Sequence, residues 1–255
     1  MTMPRIRIVT RGDDSGSCQS ANRAIADAFK EGVLRNTSIM VSAPVFREAA
    51  RMYRGLDDLC VGLHATITDE WNTHRWGPVL GAEKVPSLVM GDGTFFKSTQ
   101  TLCDNKPDND EIIAEIKAQL DIARGEGLDI EYMDTHMAFS WFEGLEPLLQ
   151  GFAKSEGLIY RPEGLSKLPS VRGEFSDPIE RLMARFDVTE PGRTYLLVAH
   201  PCYNDEEVRQ MTYGDNLPGE IARDRDWQRL MFMDERVVKY FHENDVQPIH
   251  YTDLP

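Results

Sequence analysis

Short apolar, β-branched runs alternate along the chain with stretches of helical spacing. IRIVT (Ile6 to Thr10), TSIMVSA (Thr37 to Ala43), LCVGLH (Leu59 to His64), LDIEYMD (Leu128 to Asp134), LIYR (Leu158 to Arg161), TYLLVAH (Thr194 to His200) and the closing VQPIHY read as strands. Between them, Ala21, Ala24, Ile25, Ala28 and Phe29 recur on one helical face, and so do Ile112, Ile113, Ile116 and Leu120 within about 109–126. Further helices are predicted over VFREAARMYR, over LEPLLQGFAKSEG, from a cap at Asp177 through Pro178 to about Phe186, and over a long stretch from about Ile221 to Glu243. Roughly seven strand–helix units follow one another without internal repeat or linker, which predicts an α/β fold with parallel strands and one catalytic domain over 1–255. Periodicity alone leaves two architectures open, an open doubly wound sheet and a (β/α) barrel.

One stretch breaks the alternation. From Thr66 to Asp108, Gly77, Pro78, Gly81, Pro86, Gly91, Gly93 and Pro107 punctuate a segment that also carries Trp71, Trp76, Phe95 and Phe96. A connection this long inside a compact domain is expected to be a functional loop or a lid.

Composition narrows the partners. The chain has 255 residues, 41% hydrophobic and 27% charged, with a net charge of −14. That charge opposes a nucleic acid or an anionic membrane surface, whereas a neutral sugar would be indifferent to it. Cys18, Cys60, Cys103 and Cys202 lie far apart with no CxxC pair, so neither a zinc ribbon nor a disulfide framework is expected. The stretch from Met1 to Arg7 is basic, but the apolar run after it is too short for a signal peptide, and no stretch reaches a membrane span. A cytoplasmic location follows as the default.

The chemistry sits where the strands end. Asp13 and Asp14, His64, Asp134 and His136, Arg161 and His200 all come at the ends of the proposed strands, and in α/β proteins that edge of the sheet carries the active site. Taken singly, each has an ordinary reading as a helix cap, a turn or a surface salt bridge. Three of the six histidines at such positions point instead to a shared site. His74, His242 and His250 read as structural. Two imidazoles and a carboxylate form a three-ligand set for a divalent ion with open positions, a second carboxylate beside them could act as general base, and a histidine across the site could protonate a leaving group.

These residues fall into motifs that resemble the YdjC/ChbG-like carbohydrate deacetylases, relatives of the NodB-type polysaccharide deacetylases. RGDDSG stands for the family's ADDFG-like first strand end, and Asn22-Arg23-Ala24-Ile25 for its N-x-A-I pattern. TSIMVSAPVF resembles the next strand, Gly62-Leu63-His64-Ala65-Thr66 the GLH-x-T motif, Asp134-Thr135-His136 the D-S-H motif and His200-Pro201-Cys202-Tyr203 the HPGY motif. The resemblance covers nearly the whole chain. It implies a distorted TIM-type (β/α) barrel with seven strands, and removal of an N-acetyl group from a small sugar or oligosaccharide with one divalent metal ion.

Residue by residue, it implies Asp13 as the base, Asp14, His64 and His136 as metal ligands, His200 as general acid and Arg161 as the residue orienting the base. Arg11, Trp71, Trp141 and Tyr203 are expected at the substrate, with Trp76, Phe95 and Phe142 as further aromatics that could either stack on sugar or pack the loop. The chain departs from the family pattern at Arg11, Gly12, Ser15, Met137, Phe139 and Cys202. Nitrogen-rich ligands suit Zn²⁺, Co²⁺ or Fe²⁺ by donor type, whereas the family resemblance implies Mg²⁺. The aromatic loop allows a homodimer. Hydrolysis of another bond at the same metal site, such as a phosphoester or a cyclic amide, and a sugar-binding protein without activity are the alternative readings.

Overall fold

A computed structural model describes residues 6–254; Met1–Arg5, which carry part of the basic N-terminal stretch, and Pro255 lie outside them. The elements alternate in chain order as β1 (Ile6–Ser15), α1 (Gln19–Glu31), β2 (Asn36–Ile39), α2 (Phe46–Tyr53), β3 (Cys60–Ala65), α3 (Thr99–Asp104), α4 (Asn109–Gly125), β4 (Ile130–Thr135) and α5 (Leu145–Glu156). They continue with β5 (Leu165–Lys167), α6 (Pro178–Asp187), β6 (Thr194–Ala199), α7 (Glu206–Arg209), α8 (Glu220–Met233), α9 (Glu235–Glu243) and β7 (Val246–Ile249). All the strand pairings are parallel, as alternating strands and helices require.

The seven strands form one curved sheet in the order β4-β3-β2-β1-β6-β5, with β7 added against β1. β1 is long enough to serve three neighbours. β6 pairs with it along Arg7 to Gly12, while on the opposite edge β7 takes Ile6 to Val9 and β2 takes Arg11 to Ser15. Asn36 ties this junction together. Its buried Nδ2 donates to Thr10 O at 2.9 Å and Ile249 O at 2.8 Å, and its Oδ1 accepts from Tyr251 N at 2.9 Å.

The sheet curls toward closure without reaching it. No ladder joins β4 to β5 among the described residues; β4 instead meets the segment before β5 through an isolated bridge, Tyr132 with Ile159. A cavity of about 300 Å³ opens in that gap, lined in part by Arg11, Asp134, Tyr160, Arg161 and Lys167. The expected distorted barrel of seven parallel strands is borne out as a barrel open at one seam.

Three local expectations are corrected. LIYR contributes only the isolated bridge, and the strand falls later, at Leu165–Lys167. Arg161 stands in the left-handed region at φ 48° just before Pro162, which ends any extended run there. The helix predicted from about Ile221 to Glu243 is two helices. Asp234 adopts an extended ψ of 131° and its carboxylate caps α9 by accepting from Arg236 N. TSIMVSA leaves the sheet after Ile39.

The long connection after β3 is no loose lid. Trp76, Val85, Leu88, Phe95 and Leu102 are all buried in the core, so its aromatics pack the fold. Two buried acidic side chains hold its backbone. Glu115 of α4 accepts from Val79 N at 2.9 Å and Leu80 N at 3.1 Å, and Asp69 accepts from Trp71 N at 3.2 Å and Trp76 N at 2.9 Å. Buried backbone donors need such partners, and these carboxylates take the place of strand pairing. No helix among the described residues is long and apolar enough to cross a membrane.

Candidate metal centre

The two aspartates at the end of β1 are adjacent in sequence, so regular strand geometry would send them to opposite faces. Both nevertheless line the same cavity. The register between β1 and β2 shifts between Gly12 and Ser15, and Asp14 adopts a left-handed φ of 62°. This bulge turns both carboxylates to one side. Gly16 completes the turn at φ 95°, where a Cβ would stand 2.8 Å from Met40 O.

β3 delivers His64, whose Cα is in register with Asp134 of β4. His136 follows immediately after β4 in a short 3₁₀ segment whose next two residues, Met137 and Ala138, both adopt left-handed angles. Strained backbone of this kind concentrates at functional sites. The cavity these residues line has a volume of about 390 Å³ and also carries Glu70, His200, Tyr213 and Arg225.

Asp14 Oδ1, His64 Nε2 and His136 Nδ1 form a nearly equilateral triangle. The edges are 3.4 Å from Asp14 to each nitrogen and 3.3 Å between the nitrogens. Its corners lie about 1.9 Å from its centre, so an ion slightly off the plane would meet all three at roughly the 2.0–2.2 Å of nitrogen and carboxylate ligation. Asp14 Oδ1 is buried and has no hydrogen-bond partner among the described residues. Such an orphaned carboxylate oxygen fits a cation. The three residues fit a divalent ion.

The surroundings are arranged for the same purpose. His64 Nδ1 lies 2.5 Å from Asp134 Oδ1, and His136 Nε2 lies 3.0 Å from Glu70 Oε2. Each ring nitrogen that faces away from the triangle thus meets a carboxylate, the pattern that fixes metal-ligating histidines. Asp134 is itself held by Ser38 Oγ, which donates to Oδ2 at 2.8 Å, and by Arg11 at 2.5 Å. Arg225 of α8 places Nη2 3.4 Å from Asp14 Oδ2.

Electrostatics point the same way. Asp13, Asp14, Glu70 and Asp134 face the guanidinium groups of Arg11 and Arg225, leaving two negative charges if the imidazoles are neutral. Burial works against ionised Asp14, yet His200, His136, His64 and Arg225 outweigh it and hold the carboxyl well below its usual range. Burial likewise opposes ionised Asp134, but Arg11 and His64 bring it down to about 2. Burial disfavours charged His136, and Glu70 and Asp14 overcome this, raising it to about 9. His64 is raised well above its ordinary value against burial, chiefly by Asp134 and Asp13. The cluster draws positive charge to its centre.

The remaining expected residues divide. His200 lines the cavity, and its backbone N and Nδ1 lie 2.7 and 2.9 Å from Gln228 Oε1. An Nδ1–H held on that carbonyl leaves Nε2 as the free nitrogen of the ring. Arg161 does not meet Asp13. It donates to Ser140 Oγ at 2.5 Å and pairs with Glu146 at 3.2 Å, and it lines the seam cavity. Arg11 holds Asp13 instead, and it lines the seam cavity and not the metal-site cavity. Trp71 is buried with its ring edge-on to Tyr213 at 5.9 Å, and the aromatic that lines the metal-site cavity is Tyr213. Trp141 is exposed and Tyr203 donates to Asp27 Oδ2 at 2.6 Å, both outside that cavity's lining. Cys202 is buried against Cys18, Sγ to Sγ 4.0 Å.

Glu70, Arg225, Gln228 and Tyr213 are absent from the sequence expectations. Arg225 and Gln228 are spaced i, i+3 on one helix face, which is the signal that could have paired them.

Comparison with known proteins agrees with this architecture. A carbohydrate deacetylase of Thermoanaerobacter pseudethanolicus is 26% identical over 97% of this chain and 98% of its own. A carbohydrate deacetylase of Geobacillus stearothermophilus is 29% identical over 99% of each chain. The crystal structure of an Enterococcus faecalis V583 protein assigned to cellobiose-phosphate cleavage superposes with a TM-score of 0.78 over 98% of both chains at 20% identity, a likeness of fold. The YdjC-like protein family model matches residues 7–243, and the chain belongs to that family.

Proposed function

We propose that this chain hydrolyses the N-acetyl group of a small acetylated sugar, using one divalent metal ion held by Asp14, His64 and His136. The triangle of donor atoms with 3.3–3.4 Å edges carries the reading. The names of the two curated relatives support the choice of bond and substrate class. Two imidazoles and one carboxylate suit Zn²⁺ better than Mg²⁺, which prefers oxygen donors.

When bound, such an ion polarises an acyl oxygen and acidifies water. The protein's own residues do the rest. Asp13, beside the ligand Asp14, takes the proton of the attacking water, and Arg11 fixes the direction of its carboxylate. His200, with Nδ1 tied to Gln228, carries the proton that the departing amine needs on Nε2. Asp134 and Glu70 keep the two imidazoles in orientation. Tyr213, exposed at the cavity and backed by Trp71, offers a ring face to the sugar.

The test is product analysis on N-acetylglucosamine and its short oligomers, with and without a chelator, alongside model phosphoesters. Acetate released only with metal present is expected. Phosphate release without acetate would replace this reading with a phosphoesterase.

A further inference from the structure

Among the groups around the triangle, Glu70 has the least obvious reason to be there. It belongs to no strand or helix and sits in the long connection after β3, yet its Oε2 lies 3.0 Å from His136 Nε2 and its side chain is only 13% exposed. The backbone on either side of it is fixed. Asp69 donates its N–H to Phe96 O at 2.9 Å, and the fully buried Asp69 carboxylate accepts from Trp71 N, Trp76 N and Arg75 Nε. Upstream, Thr66 is clamped by Gln119 of α4, which accepts from Thr66 N at 3.1 Å and donates to Thr66 O at 2.6 Å. Glu70 is held at His136 by a rigid piece of chain.

The two imidazoles meet the triangle through different nitrogens. His64 presents Nε2 and is backed at Nδ1 by Asp134, a residue of the adjacent strand; His136 presents Nδ1 and is backed at Nε2 by Glu70. A neutral imidazole has one lone pair and one N–H. A carboxylate at Nε2 therefore decides which nitrogen is left to bind.

We infer that Glu70 is a positioning residue for His136: by accepting its Nε2–H it fixes the tautomer and ring orientation that leave Nδ1 for the ion. This rests on the metal-site reading above. It gives the long connection a role in the site's chemistry, through its rigidity rather than by covering the cavity.

The experiment measures Zn²⁺ affinity by competition with a chromophoric chelator, together with the melting temperature of the ion-free protein, for wild type, Glu70→Ala and Glu70→Gln. Glu70→Ala is expected to bind Zn²⁺ about 10- to 100-fold more weakly, with the ion-free melting temperature little changed. Glu70→Gln keeps a carbonyl acceptor and is expected to recover most of the affinity. Wild-type affinity in Glu70→Ala overturns the inference, and so does a loss that follows the melting temperature and is not recovered by Gln. A wild-type chain that takes up no Zn²⁺ instead removes the metal-site reading itself, so the two failures are distinct.

Discussion

Arg11 grips Asp13 with both arms of its guanidinium, Nε on Oδ1 at 2.7 Å and Nη2 on Oδ2 at 2.9 Å. Its third nitrogen, Nη1, reaches Tyr251 Oη at 2.8 Å and Asp134 Oδ2 at 2.5 Å. One side chain thus aligns the proposed base and, through Asp134, the ligand His64.

Arg11→Lys keeps the charge and loses the bidentate geometry. Turnover is expected to fall about 100-fold, the scale of a misplacement near 1 Å, with KM changed far less. A variant with wild-type kcat would separate Asp13 from Arg11.

Arg161 gives the contrasting case. Its partners are Ser140 and Glu146, so Arg161→Ala is expected to keep turnover within about tenfold of wild type, as for a partly exposed ion pair that does not hold the base. A loss as large as that of Arg11→Lys would return Arg161 to the base.

Much of this was legible from the chain because strand-end chemistry and apolar runs coincide. Asp13, Asp14, His64, His136 and His200 each close or directly follow a run whose burial forces it into the sheet, so their convergence follows from topology. Arg11 and Asp13 were also readable as neighbours, since residues two apart on a strand share a face. Glu70 was not, because a single acid in an aperiodic connection carries no directional signal. Arg225 and Gln228 lie in a helix whose charged residues run around its circumference, so its sequence does not say which face looks inward. The break at Asp234 was hidden for a related reason, as the apolar pattern continues across it while the cap forms locally.

Gly62 tests the packing behind the site. It pairs in register with Tyr132, and a Cβ at this position would stand 2.3 Å from the tyrosine ring. That ring stacks on Tyr251 with centroids 4.0 Å apart, and its hydroxyl lies 3.0 Å from Ser38 Oγ, so it has little room to yield. Gly62→Ala is expected to cost at least about 1–3 kcal/mol in denaturant unfolding. An unchanged midpoint would show that the stack shifts freely.

Asp234 supplies a pH dependence remote from the metal site. The hydrogen bond from Arg236 and its own capping role hold this carboxyl below its ordinary range. A depressed folded-state value stabilises above the unfolded one and loses that contribution as pH falls through the folded one. Asp234→Ala should therefore cost about 1 kcal/mol at pH 7, mostly as a lost cap, since the half-exposed Arg236 adds little. The gap to wild type should narrow below about pH 4. Paired urea titrations check this, and a gap that widens on acidification would reverse the sign.

The division of labour between the adjacent aspartates is tested most directly by measuring bound divalent ion and acetate release on the same samples of wild type, Asp13→Asn and Asp14→Asn. The expected result is one ion per chain in wild type and in Asp13→Asn, acetate from wild type alone, and loss of both ion and acetate in Asp14→Asn. Acetate release from Asp13→Asn at the wild-type rate, or undiminished release from ion-free wild type, would contradict it.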